Sequence, residues 1–262
     1  MDKNRLSYII RACMLGLASV CLVTYSAMSL TAPAAVEASG DPAGSLYAEQ
    51  VGEKLAEQEY KNIQIFVGAP ASRVLVAMKY ISASLGVQCT HCHVPDQYEK
   101  DDLPTKQNAR RMFKMEEVIH KELNTNKVTC YTCHRGLPRP GPQGFTPSNW
   151  KPPTENRWAD QGDKPAEQVF KNIQIFKGEP VKNWMTIMSF MSASLGVDCT
   201  HCHVEGAFEK DDKPAKQTAR KMLNMVTNVG KQFYTEKGNR VSCNTCHRGK
   251  LKPEINPPPP PK

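Results

Sequence analysis

Ser82-Ala83-Ser84-Leu85-Gly86-Val87-Gln88-Cys89-Thr90-His91-Cys92-His93 returns 110 positions later as Ser192-Ala193-Ser194-Leu195-Gly196-Val197-Asp198-Cys199-Thr200-His201-Cys202-His203. The two stretches differ at one position. Upstream of each, apolar residues recur with helical spacing: Val74, Met78, Ile81 and Leu85 in the first, Trp184, Met188, Met191 and Leu195 in the second. Gly86 and Gly196 then stop the helix. Around these stretches, 61–112 aligns with 171–222 at the same offset, with 31 of 52 positions identical. A repeat of that length is a duplicated small domain and not a short solenoid unit. A second helix is predicted to begin after Asp102 and Asp212, each an N-cap with Pro close behind. It carries Arg110-Arg111-Met112 in one copy and Arg220-Lys221-Met222 in the other. No alternating strand pattern appears, so the fold class is mainly α, with two pseudo-repeated helical halves and long loops. The halves are assigned to 39–140 and 166–252. A Pro-rich linker, 141–165, joins them, and a Pro-rich tail, 253–262, follows with five consecutive prolines that favour polyproline II.

Eight of the ten cysteines fall in one frame repeated four times: Cys89-Thr-His-Cys92-His93, Cys130-Tyr-Thr-Cys133-His134, Cys199-Thr-His-Cys202-His203 and Cys243-Asn-Thr-Cys246-His247. Cys13 and Cys21 lie near the N-terminus. C-x-x-C-H is the attachment motif of c-type haem. Two thiols at this spacing reach the two vinyl groups on one porphyrin edge and form thioethers, and the following His binds the iron from the proximal face. A redox disulfide or half a zinc site uses C-x-x-C as well. Zinc needs two such pairs per metal, however, and neither alternative calls for a His after every pair. Four covalently bound haem c groups are therefore expected, each making the halves dihaem units, with His93, His134, His203 and His247 as proximal ligands.

Each iron also has a sixth position, opposite the proximal His. Seven histidines less those four leaves His91, His120 and His201, too few for four bis-His haems. Methionines are plentiful, and three have partners in the repeat: Met78 with Met188, Met112 with Met222, and Met115 with Met225. Met78 and Met188 each precede a motif by eleven residues, so about two helical turns and a Gly turn separate sulfur from attachment point. They are distal-ligand candidates, against the alternative that a Met on an apolar helix face packs a core. For the second haem of each half, Met112/Met222 compete with Met115/Met225, one turn apart on the same helix face. Met185 and Met191 correspond to Leu75 and Ile81 and read as core filling. His91 and His201, inside the motifs, read as haem-edge or surface residues. His120 corresponds to Gly230, so it is either an asymmetric ligand or a solvated helical residue.

The N-terminus places Lys3, Arg5 and Arg11 before an uncharged run from Ala12 to Leu30, then a small-residue zone containing Val36-Glu37-Ala38. That is the layout of a secretory signal, and the run is also nearly long enough for a membrane anchor. Residues 1–38 are read as signal peptide or N-terminal anchor, and either puts the body of the protein on the periplasmic side of the membrane.

The run Asn62-Ile63-Gln64-Ile65-Phe66, the helix and motif after it, Ala109-Arg110-Arg111-Met112, and Val128-Thr129-Cys130-Tyr131-Thr132-Cys133-His134-Arg135-Gly136 resemble the cytochrome c subunit of photosynthetic reaction centres. Both copies carry the likeness. The resemblance implies a tetrahaem electron carrier, not an enzyme, with distal sulfurs from Met78, Met112 and Met188 and electrons passed to an oxidised pigment pair. Family members known for a bis-His haem draw its second His from the interval in which His120 lies. Met222 is present here, so a fourth His/Met haem is expected. The implied partners are a membrane reaction centre or a respiratory complex, and a soluble electron donor. Two other classes use the same motif: a multihaem oxidoreductase with an open haem site, and a subunit of an extracellular haem conduit.

The formal charge of +8 does not point to nucleic acid. Without the leader's three basic and two acidic residues the chain carries +7, and eight exposed haem propionates bring it to about −1. An apolar fraction of 40% is thin for a core, and four porphyrins supply much of the missing apolar volume.

Overall fold

The computed structural model describes residues 52–140, 146–148, 150–155, 158–234 and 241–258. The leader 1–38, with Cys13 and Cys21, lies outside the described residues, as do parts of the linker and tail. The described residues form helices and loops, with only isolated bridges such as Leu55–Pro70 and its counterpart Pro165–Pro180.

Each half has the same plan. A one-turn helix, α1 (Ala56–Glu59), precedes α2 (Ala71–Leu85), and a 3₁₀ turn over Cys89–His91 follows. A long helix, α3 (Pro104–Leu123), then leads to the short α4 (Cys130–His134). The second half repeats this as α5 (Ala166–Val169), α6 (Trp184–Leu195), a 3₁₀ turn over Cys199–His201, α7 (Pro214–Phe233) and α8 (Cys243–His247). The two long helices per copy agree with the apolar periodicity. Their starts differ from the expectation by one residue. The N-caps of α3 and α7 are Leu103 and Lys213, not Asp102 and Asp212, and Pro104 and Pro214 hold the first helical position. Proline's fixed φ begins these helices without a side-chain cap. Asp101 and Asp211, just upstream, serve a different purpose described below.

One set of identical residues in the repeat anchors the loop that carries the first attachment motif of each half. Asn62, at φ 60°, donates from Nδ2 to the Glu99 carbonyl at 2.5 Å and to Asp101 at 3.0 Å. Arg110 donates to Asp101 at 2.7 Å and Lys106 pairs with it at 3.1 Å. The second copy repeats the set with Asn172, Arg220, Lys216 and Asp211. Residues far apart in sequence thus tie the segment before α2 to the start of α3.

The halves meet through α3 and α7. Met115, Ile119, Met225, Val229 and Val241 form a buried core between them, with Met112, Met222 and Tyr234 packed at its margin. Arg111 donates to the Phe233 carbonyl at the end of α7 (2.6 Å), and Lys221, at the equivalent position, donates to the Leu123 carbonyl at the end of α3 (3.1 Å). Each helix therefore supplies a cation to the other's C-terminus, where unpaired carbonyls and the helix dipole favour one. The reciprocity describes two antiparallel helices about a pseudo-twofold axis. A second core lies in the first half, where Ala56, Phe66, Val74 and Ala77 pack with Met78 and Phe113 at its edge. In the second half Trp158, Phe170, Phe176 and Trp184 pack in its place, edge-to-face and tilted against one another.

Candidate metal centres: four attachment motifs

Each C-x-x-C-H sits on a single turn. In the first and third motifs the His93 and His203 amides donate to the carbonyls of Cys89 and Cys199, both at 3.0 Å. In the second and fourth, Thr129 and Ser242 precede α4 and α8, and their amides donate to Thr132 and Thr245 hydroxyls, both at 3.0 Å. One turn is the geometry that puts both thiols and the imidazole on the same side of the backbone.

The four histidines share one arrangement. Nδ1 of His93 lies 2.9 Å from the Tyr98 carbonyl, that of His134 2.9 Å from Leu137, that of His203 2.9 Å from Phe208, and that of His247 3.0 Å from Lys250. A carbonyl oxygen only accepts, so Nδ1 carries a proton in every case and Nε2 is the ring nitrogen left to bind a metal. This is how a metal-ligating His is oriented and its tautomer fixed. At His134, burial also lowers the pKa, which favours the neutral ring.

All eight described cysteines are free. Burial raises the thiols of Cys92, Cys202 and Cys243, and pushes Cys130 up to about 12 with help from the nearby Glu116 carboxyl. Among the described residues no three His, Cys, Asp or Glu side chains converge as a metal-ligand set. Each motif thus offers two thiols and one imidazole, a donor set that fits haem c, which brings its own four nitrogens.

Two contacts relate the motifs to one another. Gly86 ends α2 at φ 63°, and the Gly136 amide, just after the second motif, donates to the Ser84 carbonyl at 2.8 Å. A Cβ on Gly86 would lie 2.2 Å from the Gly136 oxygen. Gly196, Gly249 and Ser194 repeat the arrangement at 2.1 and 2.8 Å. The first motif is thereby held against the second, and the third against the fourth. Across the axis, Cys133 and Cys246 sulfurs are 3.0 Å apart, well beyond a disulfide bond. Arg135 donates to the Cys246 carbonyl at 3.1 Å and Arg248 to the Cys133 carbonyl at 3.0 Å. The motifs follow one another in space as first, second, fourth, third.

The distal candidates fall into two environments. Met78 and Met188 are half-buried on α2 and α6. Met112 and Met222 are half-buried at the edge of the central core, whereas Met115 and Met225 are inside it. The Tyr234 hydroxyl also donates to the Met115 sulfur at 3.7 Å. His120 directs Nε2 to the Val128 carbonyl at 2.6 Å, beside Glu116. His91 is exposed and His201 half-buried, both within their 3₁₀ turns. Sequence reading did not single out Arg135, Arg248, Lys106 or Lys216. Identity at repeat-equivalent positions was the available signal.

Comparison with known proteins agrees with this geometry. The sequence model of the family described as photosynthetic reaction centre cytochrome C subunit matches residues 34–151 and again 142–256, one match per half. The photosynthetic reaction center cytochrome c subunit of Thermochromatium tepidum is 29% identical over 260 residues, covering 79% of this chain and 63% of that protein. The Roseobacter denitrificans subunit is 27% identical over 272 residues, with 79% and 72% covered. Cytochrome c-554 of Chloroflexus aurantiacus is 36% identical over 81 residues, 29% of this chain and 20% of that one. The chain spans under two thirds of the Thermochromatium protein's length. Two matches of the family model, one on each copy of the repeat, show that this chain belongs to the photosynthetic reaction centre cytochrome c subunit family.

Proposed function

We propose that this chain is an exported tetrahaem c-type cytochrome, an electron carrier and not a substrate-transforming enzyme. It takes electrons from a soluble donor and passes them to a photosynthetic reaction centre or equivalent membrane electron-transport complex on the periplasmic side. One observation carries the reading. All four motif histidines hold Nδ1 on a backbone carbonyl and keep Nε2 free to bind iron. Haem c, when attached, supplies one-electron exchange between ferric and ferrous iron.

The chain's residues do the rest. Cys89/Cys92, Cys130/Cys133, Cys199/Cys202 and Cys243/Cys246 hold the four groups, with His93, His134, His203 and His247 as proximal ligands. Met78 and Met188 are assigned as distal ligands of the first and third. For the second and fourth, Met112 and Met222 are preferred to Met115 and Met225. The latter are buried in the core between the halves, and Met115 has its sulfur engaged by Tyr234. His120 has its Nε2 occupied by Val128 and is not needed as a ligand. Thioether sulfur favours ferrous iron compared with a second imidazole, so the chain is suited to high-potential transfer. The spatial order of the motifs makes the second and fourth the inner sites. Cys89 and Cys199 are exposed, so the first and third offer the points of contact for partners. The matched names supply the reaction-centre partner, and the N-terminal segment supplies the export.

The test is optical. Four haems per chain by alkaline pyridine spectrum, a near-infrared Met-to-iron band in the ferric protein, and no carbon monoxide shift in the reduced protein are expected. Stoichiometric carbon monoxide binding to untreated protein overturns the carrier in favour of an enzyme with an open haem site.

A further inference from the structure

The carbonyls that receive the four histidine N–H groups are not equivalent. The Tyr98 carbonyl, partner of His93, also accepts from the Lys106 ammonium at 2.8 Å. The Phe208 carbonyl, partner of His203, likewise accepts from the Lys216 ammonium at 2.9 Å. Both lysines are buried, 8% and 9% exposed, which is rare for lysine without a reason. Each ammonium is satisfied by further carbonyls, Lys100 at 2.7 Å for Lys106, and Glu209 at 3.0 Å and Lys210 at 2.7 Å for Lys216. Each also pairs with an aspartate, Asp101 or Asp211, at 3.1 Å. That aspartate is shared with Arg110 or Arg220, so each cluster carries one net positive charge. Among the described residues, no lysine amine is bonded to the Leu137 or Lys250 carbonyls that serve His134 and His247.

We infer that Lys106 and Lys216 are positioning residues that raise the reduction potentials of the first and third haem centres above what their His/Met ligation alone would set. The physical reason has two parts. A carbonyl that shares its electron density with an ammonium is a poorer acceptor for the imidazole N–H. The imidazole then gains less basicity from its hydrogen bond and stabilises ferric iron less. The buried cation also lies one carbonyl away from the ring, in surroundings where water screens it little, and favours the state with one electron more. The couple moves one electron and no proton. The second and fourth centres lack this device, so it separates the outer sites from the inner ones.

The inference rests on the haem assignment above, and spectroelectrochemical titration of the haem-loaded full chain separates the two. Lys106→Met should lower one one-electron component and Lys216→Met a different one. Each shift should be about tenfold in the ferrous/ferric ratio at fixed potential, or 59 mV for a one-electron couple. The other three components should stay in place, and so should all four in the exposed control Lys100→Met. Asp101→Asn, which removes the charge offsetting Lys106, should raise the component that Lys106→Met lowers. A merely structural lysine predicts the same sign for both. Unmoved potentials, four components moving together, or equal signs in the two variants overturn the inference while leaving the haem reading intact. A wild-type protein without haem components overturns both. If Lys106→Met fails to assemble, Asp101→Asn decides alone: a rise supports the inference, and no change or a fall overturns it.

Discussion

At the scale of single residues, two methionines one helical turn apart stand in different environments. Met112 is at the edge of the core between α3 and α7, and Met115 is within it. Met112→Ala should remove part of the near-infrared Met-to-iron band and cost little stability. Met115→Ala should keep that band and destabilise by about 2–5 kcal/mol, the usual range for a buried Met truncated to Ala. Near-infrared spectra and chemical denaturation of both variants check this, and equal effects on the band refute the assignment. Asp101 and Asp211 give a second residue-scale expectation. Hydrogen bonds from Arg110 and Arg220 hold these carboxyls well below the ordinary range, with Asn62 and Asn172 helping. A depressed folded-state pKa contributes stability that is present above the unfolded value of about 4 and is lost as pH falls through the folded one. Thermal melts of Asp101→Asn should therefore fall below wild type at pH 7, with the gap closing progressively below about pH 4.

At the scale of elements, the glycines that end α2 and α6 do more than stop a helix. Gly86 is in the left-handed region and a Cβ there would meet the Gly136 carbonyl. Gly86→Ala should cost about 2–4 kcal/mol, combining left-handed strain with a backbone clash that must move the second motif. Haem content measured beside stability checks the argument, because displacement of Gly136 also disturbs the turn that carries His134. Gly68, also at positive φ but with open space around its Cβ position, provides the comparison: Gly68→Ala should show the strain alone. The helix stop was legible in the sequence as a glycine after a periodic run. Its second function was not, because 50 residues separate Gly86 from the oxygen that excludes a side chain there.

At the scale of the whole molecule, the duplicated sequence becomes a pseudo-twofold object. The equivalent Arg111 and Lys221 each cap the other half's long helix, and Arg135 and Arg248 each reach the other half's cysteine carbonyl. The symmetry is broken by the C-terminal segment, which crosses to the first half. There Glu254 pairs with Arg135, and the Ile255 carbonyl accepts from Tyr80 at 2.9 Å and from Thr129. Charge is also a whole-molecule property. The sequence alone has a pI of about 8.9, and the eight propionates of the four proposed haems would offset most of the positive balance. The haem-loaded protein should focus near or below neutrality and the haem-free chain on the basic side, by isoelectric focusing of the two forms. Focusing of both at the basic end would refute cofactor compensation.

Spacing along the chain is enough to give the helical class, the duplication, and the thiols and imidazole of each motif. These are local facts: a turn of helix places residues three and four apart on one side whatever surrounds it. Even the anchoring role of Asn62, Asp101 and Arg110 left a trace, as identical residues at one offset. Tertiary structure alone decided which carbonyl fixes each imidazole, which two carbonyls share theirs with a buried ammonium, and which methionines the core takes up. It also set the order of the four motifs in space. Those outcomes depend on atoms brought together by packing across separations of up to more than a hundred residues, and a hydrogen bond or a helix contact of that reach has no period in the sequence.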